Sequence, residues 1–170
     1  MKHIQPIITQ AGLNASVGFD GKAVKIDVAY IGIGDHGYQP KRTHTALSNE
    51  RLRLPIADAL KTSPTQWQVA ALFDTGPEFP VREVGAYLSD GTLLALWSHP
   101  EDVLYWNTEY NHAIQAFSLG LEALPPDSVN VISTGSLNLF FDSEFAQMAA
   151  VQIGNMTRHL TALISQNLHL

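Results

Sequence analysis

Histidines and carboxylates are the side chains through which this chain of 170 residues could do chemistry, for it holds seven histidines, sixteen acids and no cysteine. Without cysteine there is no thiolate zinc site, no thiol nucleophile and no disulfide scaffold. The histidines (His3, His36, His44, His99, His112, His159 and His169) are scattered. No two have the H-x-H or H-E-x-x-H spacing that sets paired ligands on one metal. His36 with His44, His99 with His112, or His159 near a symmetry axis give only a weak metal reading. Turn and surface histidines are the plainer one, so no metal is expected. Asp74 with Glu78 and Glu101 with Asp102 have the proximity that glycoside hydrolysis uses, but both pairs sit beside Gly/Pro turns, where acids are normally solvated. Nothing resembles a Ser-His-Asp site. Gly32-Ile33-Gly34-Asp35-His36-Gly37 approaches a phosphate-binding loop, yet Asp35 would repel pyrophosphate and no clear helix follows. A strand end is expected there, with glycines allowing positive φ and Asp35 capping the turn. Neither a catalytic residue nor a cofactor is expected.

Aromatic residues give a further lead. Trp97, Tyr105, Trp106 and Tyr110 surround the connector His99-Pro100-Glu101-Asp102. Such a cluster is a candidate contact surface for protein or sugar. The plainer reading is a loop folded back to close the end of the domain.

A scaffold must position these groups, and composition bounds it. Apolar residues make up 45%, enough for a core. Charged residues make up 15%, below the usual level of about a quarter, which points to surface covered in an assembly. A net charge of −6 argues against phosphate neutralisation, hence against nucleic acid. The charge is uneven: net +2 over residues 1–60 and −8 over residues 61–170. The most apolar run, Leu93 to Trp97, ends at Ser98-His99-Pro100, far short of the roughly 20 residues a membrane span needs. The N-terminus lacks the apolar stretch of a signal peptide. No membrane partner is expected, and synthesis in the cytoplasm is.

Periodicity suggests a mainly antiparallel β sandwich or barrel-like domain over residues 1–141, in an α+β class. A short helix capped by Thr9 is expected within residues 7–16. Val24, Ile26, Val28 and Tyr30 alternate with Lys25, Asp27 and Ala29 as a half-buried strand would. Residues 38–50 look irregular, and residues 51–60 are ambiguous. Ser63-Pro64 is a break, Trp67 to Phe73 a strand and Gly76 to Pro80 a rigid connector. Residues 81–88 and 93–98 flank Asp90-Gly91, a strong hairpin signal. Residues 113–121 and 129–141 supply two or three more strands.

Residues 142–170 read differently, as a long amphipathic helix. Ala146, Ala149, Ile153, Met156, Leu160, Leu163, Asn167 and Leu170 follow at alternating spacings of three and four, the a and d positions of a heptad. Ile153, Met156, Leu160, Leu163 and Asn167 are the candidate oligomerisation residues. The alternative is an ordinary amphipathic helix lying on its own domain.

The order of segments resembles the N-terminal domain of phage tail-collar and tail-fibre proteins over roughly residues 7–135. The resemblance rests on Ile8-Thr9-Gln10-Ala11-Gly12-Leu13, on Ile33-Gly34-Asp35-His36-Gly37 and on Leu47-Ser48-Asn49-Glu50-Arg51-Leu52-Arg53. Its most specific block runs from Arg82-Glu83-Val84-Gly85 through Asp90-Gly91 to Ala95. Within these motifs Gly34, Asp35, Arg82, Glu83, Gly85, Asp90 and Gly91 are expected to determine the fold. Gly85 would admit a neighbouring backbone. Arg82 and Glu83 would face opposite sides of a strand, Glu83 pairing with Arg51 or Arg53. The resemblance implies a non-catalytic protein of the virion tail, joining a fibre to the baseplate as a homotrimer. Its partners would be further copies of itself and other tail proteins, with a prophage as the source. Family members usually continue into a shaft and tip, so a chain of this length is expected to be a fibre stub or adaptor, a remnant of a decayed prophage, or a fragment of a longer protein. The alternative function is a carbohydrate or host-surface binding module using the Trp97–Tyr110 region.

Overall fold

A computed structural model describes residues 6–17, 24–74, 76–108, 113–121, 123–124 and 127–136. The chain divides into two compact units, Met1–Leu137 and Asn138–Leu170, and the described residues all belong to the first. The expected boundary at 141/142, the heptad helix and its stripe from Ile153 to Asn167 therefore lie outside the described residues.

The chain enters through β1 (Ile7–Ile8) and α1 (Gln10–Ala15). Thr9 is the N-cap expected from the sequence: its hydroxyl oxygen accepts from the Gly12 amide at 2.9 Å, satisfying a donor that the first turn leaves unpaired. The same hydroxyl donates to the Leu93 carbonyl. A helix of six residues does not persist alone, and this one is held against a strand. Gly12 makes that approach possible, since a Cβ there would lie 2.7 Å from the Leu94 carbonyl oxygen.

The main sheet has six strands. Its order is β1, β8 (Leu93–Ser98), β7 (Glu83–Leu88) and β2 (Ile26–Gly34), with β3 (Glu50–Pro55) and β11 (Val129–Val131) both paired to β2. β3 runs antiparallel along Tyr30 to Gly34, while β11 runs parallel along Ile26 to Val28. β7 and β8 form the hairpin predicted at Asp90-Gly91. Gly91 has φ +90°, and the Asp90 carboxylate accepts from the Thr92 amide at 2.8 Å. That bond holds the Asp90 carboxyl below the ordinary carboxylate range.

The alternation expected for β2 fails halfway, for a physical reason. Its register against β7 slips between Val28 and Tyr30, which is a β-bulge at Ala29. A slip of one residue exchanges the two faces. Ile26 and Val28 are buried, then Ile31 and Ile33, while Tyr30 is 36% exposed on the other side. The Ala29 carbonyl accepts from the Ile56 amide at 2.9 Å.

A second sheet, ordered β10 (Ala113–Gly120), β5 (Gln66–Phe73) and β4 (Asp58–Ser63), is antiparallel throughout. The ambiguous stretch over 51–60 resolves into β3 and β4, parted at Ile56-Ala57. Pro64-Thr65 forms the turn between β4 and β5. The connector over 76–80 contributes Phe79 and Pro80 to β6 (Phe79–Val81), which pairs with β9 (Tyr105–Asn107).

Ile31, Ile33, Val84 and Ala86 of the main sheet share one buried cluster with Val69, Ala71, Phe73, Phe117 and Leu119 of the second. Each large aliphatic side chain so buried contributes about 1.5–3 kcal/mol. The expected β-rich, mainly antiparallel character holds, and helix among the described residues is confined to α1.

Candidate functional site

The motif residues converge on the opposite face of the main sheet. Alternation along β7 sends Val84, Ala86 and Leu88 to the core and Glu83, Gly85 and Tyr87 the other way. Gly32 of β2 is the Cα partner of Gly85, so a shelf without side chains crosses the two central strands. A Cβ on Gly32 would lie 2.8 Å from the Tyr87 ring and 2.9 Å from a Glu50 carboxylate oxygen. One on Gly85 would lie 2.9 Å from Leu93 and 3.1 Å from both Leu47 and Tyr87. The close approach expected at Gly85 is thus made by side chains. Backbone comes closest at Gly34, where a Cβ would strike the Asn49 carbonyl and the Glu83 carboxylate.

Glu83 is 0% exposed. Its carboxylate accepts from the Ser48 amide at 2.8 Å, the Asn49 amide at 2.7 Å and the Tyr38 hydroxyl at 2.8 Å. Taking a carboxylate out of water costs several kcal/mol unless its lone pairs find partners, and charge-assisted bonds are the strong kind. The ion pair expected with Arg51 or Arg53 is not what holds it. An arginine there would bury a second charge, whereas backbone amides supply donors without one.

The arginines serve the rim. Arg53 forks onto Glu50, with Nε to Oε1 at 2.8 Å and Nη2 to Oε2 at 2.9 Å, and its guanidinium lies 3.6 Å from the Tyr87 ring centroid. The hydrogen bond to Glu50 raises the Arg53 pKa. Arg51 lies 3.7 Å from Asp35 and over the Phe79 ring at 5.7 Å. The Tyr87 hydroxyl donates to Glu50 at 2.5 Å and accepts from the Leu47 amide at 3.3 Å. Burial first, and then the Glu83 and Glu50 partners respectively, push the Tyr38 and Tyr87 phenols well above the ordinary range.

Asp35, expected to cap its own turn, accepts from the Asn49 side-chain amide at 2.6 Å. The Arg82 amide donates to the Gly34 carbonyl at 2.9 Å, and its own carbonyl accepts from Ser98 Oγ at 3.2 Å. The Tyr38 amide donates to the same Ser98 oxygen at 3.1 Å. Two motifs far apart in sequence, Leu47 to Arg53 and Arg82 to Gly85, therefore meet around one carboxylate. Together they brace the segment 35–49, which has no regular secondary structure.

Elsewhere the candidates separate. Trp97 is half-buried and lines a small apolar pocket with Ile31, Val84, Ala86 and Phe117. Tyr105 packs on the core, and burial pushes its phenol up. Trp106 is 60% exposed. Tyr110 lies outside the described residues. His99 Nδ1 accepts from the Glu101 and Asp102 amides at 3.3 and 3.1 Å, closing a turn. Among the described residues no group of three His, Asp or Glu side chains could hold a metal ion. Sequence reasoning missed Tyr38, Glu50, Tyr87 and Ser98 as partners in this lattice. Tyr87 carried a signal, since it lies two residues beyond Gly85 on the same face of β7.

The lattice and the motifs that build it fall within the region of a known family. The chain belongs to the phage tail-collar fibre proteins, whose N-terminal sequence profile matches residues 1–106. No curated protein and no solved structure matches it.

Removing the Glu83 carboxylate leaves three neutral donors unpaired at about 1–3 kcal/mol each where they stay buried, so Glu83→Ala should lose several kcal/mol of stability in urea unfolding. Glu83→Gln keeps one acceptor oxygen and should lose about 1–3 kcal/mol; no shift in midpoint for either would show that the network is dispensable. Tyr38 and Tyr87 have folded pKa values above the unfolded value of about 10. Stability is then full below about pH 10 and falls as pH rises further, because the unfolded chain sheds protons first. Tyr105, raised by burial, behaves the same way, so tyrosinate absorbance at 295 nm should show at least three phenols that ionise only with unfolding, and that count should fall by one in Tyr87→Phe.

Proposed function

We propose that the domain of residues 1–141 attaches a tail fibre to the baseplate, that it does so as a homotrimer, and that residues 142–170 form the trimerising helix. Family membership makes the protein a structural component of a phage tail. One observation carries the finer reading: the motif residues are committed to bracing a single exposed segment, 35–49, over the sheet. A segment held this way is a contact surface prepared in advance, with little conformational entropy left to lose on docking. Trimerisation rests on the heptad spacing from Ala146 to Leu170 and on the low charge of that stretch. A prophage source and a place in the virion tail follow from the same reading, and catalysis has no part in it.

Tails assembled without this protein should retain the added full-length chain through sedimentation, with density at the baseplate in electron microscopy. A chain that stays in the supernatant would overturn attachment. Light scattering of the purified chain should give three times the chain mass. Replacing both Leu160 and Leu163 with Asp should reduce that to one, and an unchanged mass would show that the stripe packs within its own chain.

A further inference from the structure

We infer that the exposed crown of the segment 35–49 is the docking face, and that Lys41 and Arg42 on it take an acidic surface of another tail protein. This rests on the attachment reading and names its site.

Residues 36–46 read His-Gly-Tyr-Gln-Pro-Lys-Arg-Thr-His-Thr-Ala: two adjacent cations, two histidines and no acid, in a chain of net charge −6. Lys41, Arg42, Thr43 and Thr45 are exposed. Among the described residues neither the Lys41 nor the Arg42 side chain has an ion-pair partner. Neighbouring acids are engaged elsewhere: Asp35 with Asn49 and Arg51, Glu50 with Arg53 and Tyr87. Glu101 is exposed on the connector over 98–102.

The backbone that carries the two cations is also held in place. The Gln10 amide donates to the Arg42 carbonyl at 2.8 Å, and the Lys41 amide donates to His44 Nδ1 at 3.2 Å. The Tyr38 ring meets those of His36 and His44 at centroid distances of 5.8 and 5.0 Å. Tyr38 is in turn bonded to the buried Glu83. Flexible lysines and arginines on a surface ordinarily do little; cations presented by a fixed backbone give register and electrostatic complementarity. Two cations are too few to overcome the repulsion between this acidic chain and a polyanion such as DNA. An acidic protein surface fits their number.

The test compares the full-length wild-type chain with the double variant Lys41→Glu/Arg42→Glu for retention on tails lacking this protein. Lys25→Glu serves as control, since it reverses a cation at the far end of β2. The double variant should keep the wild-type urea midpoint and oligomer mass while its retention falls at least about tenfold. Wild-type retention should weaken as salt rises from about 50 to 300 mM. Equal retention of the double variant and wild type overturns this inference and leaves attachment standing. So does equal loss in Lys25→Glu, which would make the effect one of net charge. A smaller oligomer mass in the double variant assigns the crown to a second copy of this chain and overturns it too. Failure of the wild-type chain to bind tails removes attachment and this inference together.

Discussion

One buried carboxylate organises this domain. Glu83 is enclosed on the outer face of the main sheet, and its burial is tolerable only while the Ser48 and Asn49 amides and the Tyr38 hydroxyl stay in place. Those donors belong to a segment with no strand or helix of its own. The requirement therefore runs in both directions: the segment satisfies the carboxylate, and the carboxylate decides where the segment lies. The glycines beneath follow from the same constraint. Side chains at positions 32, 34 or 85 would lift Tyr87, Glu50 and the backbone of Asn49 off the sheet and pull the donors out of reach.

β7 bears this arrangement because both its faces are used. All six of its residues are buried, so its burial alone shows no period of two. Its chemistry does: Val84, Ala86 and Leu88 join the core shared with the second sheet, while Glu83, Gly85 and Tyr87 hold the covering segment. A central strand buried on both sides usually reads as a continuous apolar run. Here one face is polar and satisfied within the chain. The strand thereby couples core packing to the position of the exposed segment on its other face.

The parts legible in the sequence were those with local signatures. Thr9 before a short helix, Asp90-Gly91 between apolar runs, and the spacing of Trp67 to Phe73 each specify their neighbours by short-range sterics and hydrogen bonding. What escaped was non-local or backbone-borne. The bulge at Ala29 has no residue-type marker, yet it reverses the phase of β2 and moves Tyr30 outward. The partners of Glu83 are mostly main-chain amides, which every residue possesses, so pattern reasoning turned to the nearest arginines. Arg51 and Arg53 instead satisfy Asp35 and Glu50 at the rim, where both charges remain partly hydrated. The parallel pairing of β11 with β2 joins residues about a hundred positions apart, beyond any local cue.

The same physics explains why an attachment domain would carry its contact surface on an irregular segment. A helix, or a strand paired on both sides, has its backbone hydrogen bonds met within the fold and offers a partner chiefly side chains. A segment whose backbone is tied to a buried carboxylate, to Ser98 and to Gln10 offers side chains from a backbone whose position is set from below. Its crown is then free to differ in sequence without a change of fold. Lys41 and Arg42 are among the few cations of an acidic chain, and they sit exposed on this segment, away from the core.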